Sequence, residues 1–325
     1  MEVFSTCPCM KSFKYLHSTG PPEDTEDLWL APTTYNGTLF GPMGRRPSTS
    51  NPAWFIAQWN NPLPLDPEGA IFDCPPATCP CTTLDNPVSW HISNQNSRVC
   101  LHNGTSSHSR PIVELYSTGS TNLLCGTEKD LFLSPVGGIY GRYPQAGPGS
   151  SGNPPTLADL TCLKLSFNSS LVYSNVTSRC GTCGSSLDYS YATAGVTLTN
   201  SRLGPQTLFY QILLWDSRYN QTSCLENPCQ PKGNRFYFTT FPTYGVNFNI
   251  GYFNASCLMP QSPPVWTYYT LDLLPSMLIA INTSKYGIDG NASHWTVGGM
   301  YIGVGLQGDA ALTLLLSDIN LVGHM

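Results

Sequence analysis

The chain of 325 residues carries a formal net charge of −5, and only 11% of its residues are charged. No basic stripe runs along it, so neither a nucleic-acid backbone nor an electrostatic lipid anchor is an expected partner. With 28 prolines, 29 glycines and few lysines or glutamates, the composition argues against helices and for many short strands joined by turns, at a length that allows a substantial core.

Residues 1–50 read as an irregular, Cys-rich segment with an acidic surface patch at Glu23, Asp24, Glu26 and Asp27. Trp54-Phe-Ile-Ala-Gln-Trp59 is a compact apolar strand, ended at Asn60 by a run through Pro62, Pro64 and Pro67, because proline donates nothing to a ladder. Val88 to Ile92, Arg98 to His102, Pro111 to Tyr116 and Leu131 to Pro135 follow as strands at sandwich-like spacing. Residues 137–156, rich in Gly, Pro and Ser, read as a surface insertion within one domain spanning 1–325. Further strands are expected at Leu160 to Phe167, Gly195 to Thr199, Arg235 to Thr240 and Val246 to Phe253. Thr207 to Trp215 is apolar on both faces, which suits the middle of a sheet. After Pro275, the spacing of Met277, Leu278 and Ile281 with Leu274 predicts one short helix.

The last thirty residues read as one long β-hairpin turning at Gly308-Asp309. Period two places Met300, Ile302, Val304 and Leu306 on one face, and Trp295, Val297 and Tyr301 on the other with Gly299, Gly303 and Gly305. In the second arm Leu312, Leu314 and Leu316 oppose Ala311, Thr313, Leu315 and Ser317. The apolar phase then slips at Ser317-Asp318 to Ile319 and Leu321, as a β-bulge makes it. The fold class is therefore all-β, an antiparallel sandwich of jelly-roll type with long disulfide-stapled loops.

Thirteen cysteines and sequons at Asn36, Asn103, Asn168, Asn175, Asn220, Asn254, Asn282 and Asn291 point to a secreted glycoprotein in an oxidising compartment. Residues 1–11 contain no signal-peptide core, and the odd cysteine count is read either as a truncated N-terminus or as a free thiol. Cys180-Gly-Thr-Cys183 has knuckle spacing, but without a second pair it reads as a structural disulfide rather than a metal site. The Cys7/Cys9, Cys74/Cys79/Cys81 and Cys224/Cys229 groups read as stapled loops, their connectivity open. No 18-residue apolar run is present, so no membrane span is expected.

The Trp54 to Trp59 strand, the Leu208 to Trp215 strand and the closing Trp295 to Leu321 pair together resemble the concanavalin-A-like jelly rolls, the superfamily of lectins, glucanases and polysaccharide lyases. The resemblance implies carbohydrate bound on a concave sheet face, and the residues themselves give no expectation of a cofactor or a metal. Flat rings stack on pyranose faces while amides bond hydroxyls, so Trp295, Tyr301, Trp59, Gln58, Trp90 and Gln211 are the expected ligand-binding residues, with Trp54, Trp266, Tyr268 and Tyr269 as further aromatics. A polysaccharide-cleaving enzyme is the alternative. The Glu-X-Asp-X-X-Glu arrangement of the glucanases is missing, leaving Glu114, Glu128 and Asp130 as acids near strands, and the Gln-X-His strand of the lyases is echoed only by Gln58 and His91. Asp289 in Gly287-Ile-Asp-Gly-Asn291 reads as a turn rather than a calcium loop. A third reading, from cysteines and sequons without catalytic motifs, is a viral or endogenous retroviral envelope attachment glycoprotein.

Overall fold

Strand alternation dominates the chain, and the computed structural model is correspondingly all-β, with one α-helix among the described residues. It describes residues 12–16, 28–30, 54–59, 61, 63–65, 71–74, 79–81, 84, 86–102, 111–119, 128–135, 155–176, 188–200, 202, 207–217, 235–241, 248–252, 258, 260–282 and 288–325. The insertion at 137–156, apart from its last two residues, the acidic patch and the Cys180/Cys183 and Cys224/Cys229 pairs lie outside the described residues.

In chain order the first eight strands are β1 (Ser12–Leu16), β2 (Leu28–Leu30), β3 (Trp54–Trp59), β4 (Ile71–Cys74), β5 (Val88–Ser93), β6 (Ser97–His102), β7 (Ile112–Thr118) and β8 (Glu128–Pro135). The second eight are β9 (Cys162–Val176), β10 (Tyr189–Asn200), β11 (Thr207–Asp216), β12 (Arg235–Phe241), β13 (Phe248–Tyr252), β14 (Thr267–Asp272), β15 (Trp295–Gln307) and β16 (Ala310–His324). Helix α1 (Leu274–Asn282) lies between β14 and β15.

Two sheets of eight strands pack face to face. Sheet A runs β14-β9-β16-β7-β6-β5-β4, with β1 pairing the distal half of β16; sheet B runs β13-β12-β11-β10-β15-β8-β3-β2. The pairings are antiparallel except β2 with β3. Both sheets draw strands from either side of the 137–156 run. Segment 1–50, expected to be irregular, contributes β1 and β2, each short strand gaining its order from a partner in another part of the chain. β4 and β14 were likewise not legible as strands: β4 follows the proline run, and β14 is an edge strand with Tyr268 60% exposed beside the buried Tyr269.

The expected C-terminal hairpin is corrected. β15 pairs with β10 and β8 in sheet B, whereas β16 pairs with β9 and β7 in sheet A. Gly308-Asp309 is therefore a corner between layers. Gly308 has φ +68°, and an added Cβ would strike the carboxylate of Asp188, so only glycine fits both the backbone angle and the space. Each arm becomes a central strand, and Met300, Ile302, Val304, Leu312, Leu314 and Leu316 meet in the common core. The slip at Ser317-Asp318 is a bulge against β9, with Asp318 at φ 56°. β11 lies between β10 and β12, as its two apolar faces require.

A second bulge overturns one facial assignment. Across β10, Thr197 faces Gly299 but Leu198 faces Val297, which leaves Gly298 as an extra residue and reverses the phase before it. Trp295 and Val297 thereby join the core face with Met300. The segment before β15, expected as a turn, is of Asx type: Asp289 accepts from Asn291 N and from Asn200 Nδ2, bonds the His294 ring, and its carbonyl receives Trp295 Nε1–H. These bonds hold the Asp289 carboxyl down to about 2, the backbone N–H of Asn291 contributing most. In α1, Pro275 occupies the first turn, Leu274, Met277, Ala280 and Ile281 are buried, and Asp272 accepts the Leu274 N–H.

Lys129 ties the layers at one end. It is fully buried, and its ammonium donates to the carbonyls of Asn96, at the β5–β6 turn, and Thr118, at the end of β7. Burial lowers its pKa to about 7. Between that value and the ordinary lysine range the unfolded chain binds the extra proton and the folded chain does not, so stability contributed at this site rises with pH across that window. Lys129→Met is expected to flatten the rise, which urea melts of both proteins from pH 7 to 10 measure. Gly308→Ala is expected to cost more than about 1 kcal/mol through its left-handed φ and the Asp188 contact, read as a lower denaturation midpoint.

Candidate ligand-binding face

The outer face of sheet B is built from residues of opposite phase to the core. β8 contributes Asp130 and Phe132, β10 contributes Tyr189, Tyr191 and Thr197, β11 contributes Phe209 and Gln211, and β15 contributes Tyr301 between glycines. Side chains on neighbouring strands stand close enough to collide, so a ring can lie flat only where its cross-strand neighbour has none. Gly195 is the register partner of Tyr301, and a Cβ there would fall on the phenol ring. Gly305 is the partner of Tyr191, and a Cβ there would meet the Tyr191 ring and Asp130. Gly303 instead lies against the backbone of Leu131 and Phe132, where a side chain would press on main chain.

The rings laid down in this way touch one another. Phe132 meets Tyr301 edge-on with centroids 5.2 Å apart, and Phe209 lies 6.3 Å from Tyr301. Tyr191 donates its hydroxyl proton to Asp130 Oδ1 at 2.6 Å, and its ring sits 6.1 Å from that of Tyr189. Tyr301 is only 7% exposed, and burial raises its phenol well above the ordinary value, the neighbouring Gln211 side chain acting in the opposite sense. Tyr189, Tyr191, Phe209, Gln211, Thr197 and Asp130 are half-buried. The face is thus a ring floor, anchored by Tyr301 and Phe132, with amide, hydroxyl and carboxylate groups standing at its margin.

The expected site residues divide accordingly. Gln211 lies on this face, and Trp59 is placed on it by register opposite Asp130, its side chain being outside the described residues. Tyr301 is on the face but serves as its floor. Trp295 is corrected: it is fully buried between the sheets, because the Gly298 bulge turns it inward. Trp90 is 4% exposed and belongs to the same core. Gln58 is 1% exposed, its Oε1 accepting from Asn61 Nδ2 and Leu65 N at 3.0 Å each, so it closes a loop rather than meeting solvent. Tyr269 is buried and stacks on Phe167, with centroids 4.8 Å apart. Tyr191 and Phe209 were missed, although for Tyr191 the glycines spaced two apart on β15 were a signal for a ring lying across them.

The outer face of sheet A is different. Glu114 was read as a surface acid, yet it is fully buried: Arg98 Nη2 donates to its Oε1 at 2.6 Å and His102 Nε2 donates to its Oε2 at 3.0 Å. Burial alone pushes the carboxyl up, but the His102 bond and the Arg98 guanidinium outweigh it and hold Glu114 below its ordinary value. His91 stands on this face too, so it makes no pair with Gln58, which points into the sandwich from sheet B. Glu114 and Asp130 lie on opposite outer faces, and these two acids cannot flank one glycosidic bond.

Among the described sequon asparagines, Asn168 and Asn175 belong to β9 on the outer side of sheet A, Asn282 ends α1, and Asn291 lies in the turn before β15. Asn168 is half-buried and donates to Asp318 Oδ2 at 2.8 Å. Asn36, Asn103, Asn220 and Asn254 lie outside the described residues. No family model matches the chain, and no curated protein matches it.

Trp295→Ala is expected to cost about 3–5 kcal/mol in chemical denaturation, as a core aromatic does. Gly303→Ala is expected to be more destabilising than Gly299→Ala, because Gly299 meets only the Thr197 hydroxyl, which can rotate away, while Gly303 meets backbone; paired thermal melts decide the order.

Proposed function

We propose that the chain is a secreted glycoprotein that binds carbohydrate on the outer face of sheet B. The observation that carries this reading is the combination, on one face, of rings seated over glycines with the Gln211 amide, the Thr197 hydroxyl and the Tyr191–Asp130 pair at their edge. A pyranose offers an apolar C–H face to such rings and hydroxyls to such an edge, and neither requirement calls for net charge. The likeness to the concanavalin-A-like jelly rolls supports the same ligand class by analogy of strand pattern.

The placement of the described sequons adds to it. Strands of sheet B contain none of them, whereas β9 of sheet A contains Asn168 and Asn175, so glycans carried there would leave the sheet B face bare. The same arrangement suits an attachment glycoprotein whose ligand is a protein surface, and the experiment distinguishes the two. The hydrolase reading is weaker, since Glu114 is locked by Arg98 and His102 on the opposite side.

Chain expressed through a eukaryotic secretory route is applied to a glycan array. Binding is expected, with a loss of tenfold or more in Tyr191→Ala and Gln211→Ala and melting temperatures within a few degrees of the parent. Wild-type protein that is folded, glycosylated and binds no glycan moves the assignment to a protein ligand; protein that stays unglycosylated and reduced removes the secreted reading as well.

A further inference from the structure

On the outer face of sheet A, the 79–81 loop lies over β5 and β6. Cys81 is bridged to Cys100 of β6, and Cys79, two residues before Cys81, is a free and buried cysteine. The Sγ atoms of Cys79 and Cys81 and a ring nitrogen of His91 all lie within 4.8 Å of one another. Cys79 Sγ is 3.9 Å from His91 Nδ1, and His91 is the register partner of Cys100 across β5 and β6. A thiol, a disulfide and an imidazole that neighbours both the thiol and the far cysteine are the components that thiol–disulfide exchange requires.

From this geometry we propose that Cys79 is the nucleophile of an intramolecular exchange that moves the bridge from Cys81–Cys100 to Cys79–Cys81, with His91 carrying the proton. The Cys79 thiol gives its proton to His91 Nδ1, the thiolate attacks Cys81 Sγ, the Cys81–Cys100 bond breaks, and Cys100 leaves as a thiolate that takes the proton back from His91. One S–S bond forms and one breaks, so neither oxidant nor reductant is consumed. Residues two apart are separated by at most about 7 Å, which reaches the roughly 4.4–6.8 Å range of Cα separations that a disulfide spans, and the chain bends at Pro80. Burial, with Arg98 adding to it, lowers the His91 pKa and keeps the ring in the neutral form that accepts a proton.

The consequence is mechanical. In the first state the loop is stapled to β6, and in the second the staple closes within the loop and releases it. The freed Cys100 thiol remains in a polar setting, because its sulfur and single ligand atoms of His102 and Glu114 lie within 4.8 Å of one another, with Arg98 on the other Glu114 oxygen. Burial of Cys79 protects it from external thiols without hindering an internal target.

The test uses the full chain, held at pH 4 and then shifted to pH 8 with no redox reagent. Aliquots are quenched in acid, denatured, alkylated with N-ethylmaleimide and mapped by mass spectrometry. Label is expected to move with time from Cys79 to Cys100, and a Cys79–Cys81 peptide is expected to appear in step. Cys79→Ser is expected to show no label at Cys100, and His91→Ala to slow the transfer about tenfold or more while leaving the final distribution unchanged. Label confined to Cys79 at every time overturns the exchange, as does equal label at Cys100 in Cys79→Ser. An unchanged rate in His91→Ala overturns the proton relay.

Discussion

β15 and β16 follow one another with two residues between them, yet their hydrogen bonds go to different sheets, and every other strand takes its place around that division. A hairpin turn would have kept both arms in one layer and left one sheet without a centre. The left-handed φ of Gly308 and the lack of a side chain against Asp188 let the chain turn through the sandwich instead. β16 then receives β9 on one edge and β7, followed by β1, on the other. β15 receives β10 and β8. The core forms because the apolar phases of these two long strands face each other across the gap between layers.

Glycine has a second use on the outer face of sheet B. Strands set side by side about 4.8 Å apart leave no room for two large neighbours to lie down together. Gly195 beneath Tyr301 and Gly305 beneath Tyr191 remove one member of each pair, so each of these two rings lies over the glycine of the neighbouring strand. The room for these rings is a product of absent side chains, and it links a local property of the sequence to the aromatic character of the face.

Polar groups are buried in places that join separate parts of the chain. Lys129 spans the two layers through main-chain carbonyls. Glu114 gathers Arg98 and His102 of the neighbouring strand beside the Cys81–Cys100 bridge. Asn200, itself buried, fixes the end of β10 against the entry of β15 through Asp289. Desolvating such groups costs free energy unless they are fully bonded, so each is tolerated only where its partners converge. These clusters also bring the sulfur atoms of Cys79, Cys81 and Cys100 together with His91 on a single face.

Period-two patterning determined from the sequence alone that the chain is all-β, that β11 is internal, that α1 is short and that β16 carries a bulge near Ser317, because alternation and turn chemistry are local properties. Short partners such as β1, β2 and β4 were illegible, since a strand of three to five residues is ordered by the edge it meets and not by its own pattern. Only the tertiary structure decided which layer each C-terminal arm enters and which way Trp295 points. One extra residue at Gly298 reverses every side chain before it, and a bulge is recognised only against the neighbouring strand's register. The same dependence hid Tyr191 and Phe209, whose place on the outer face is set by the strands on either side of them.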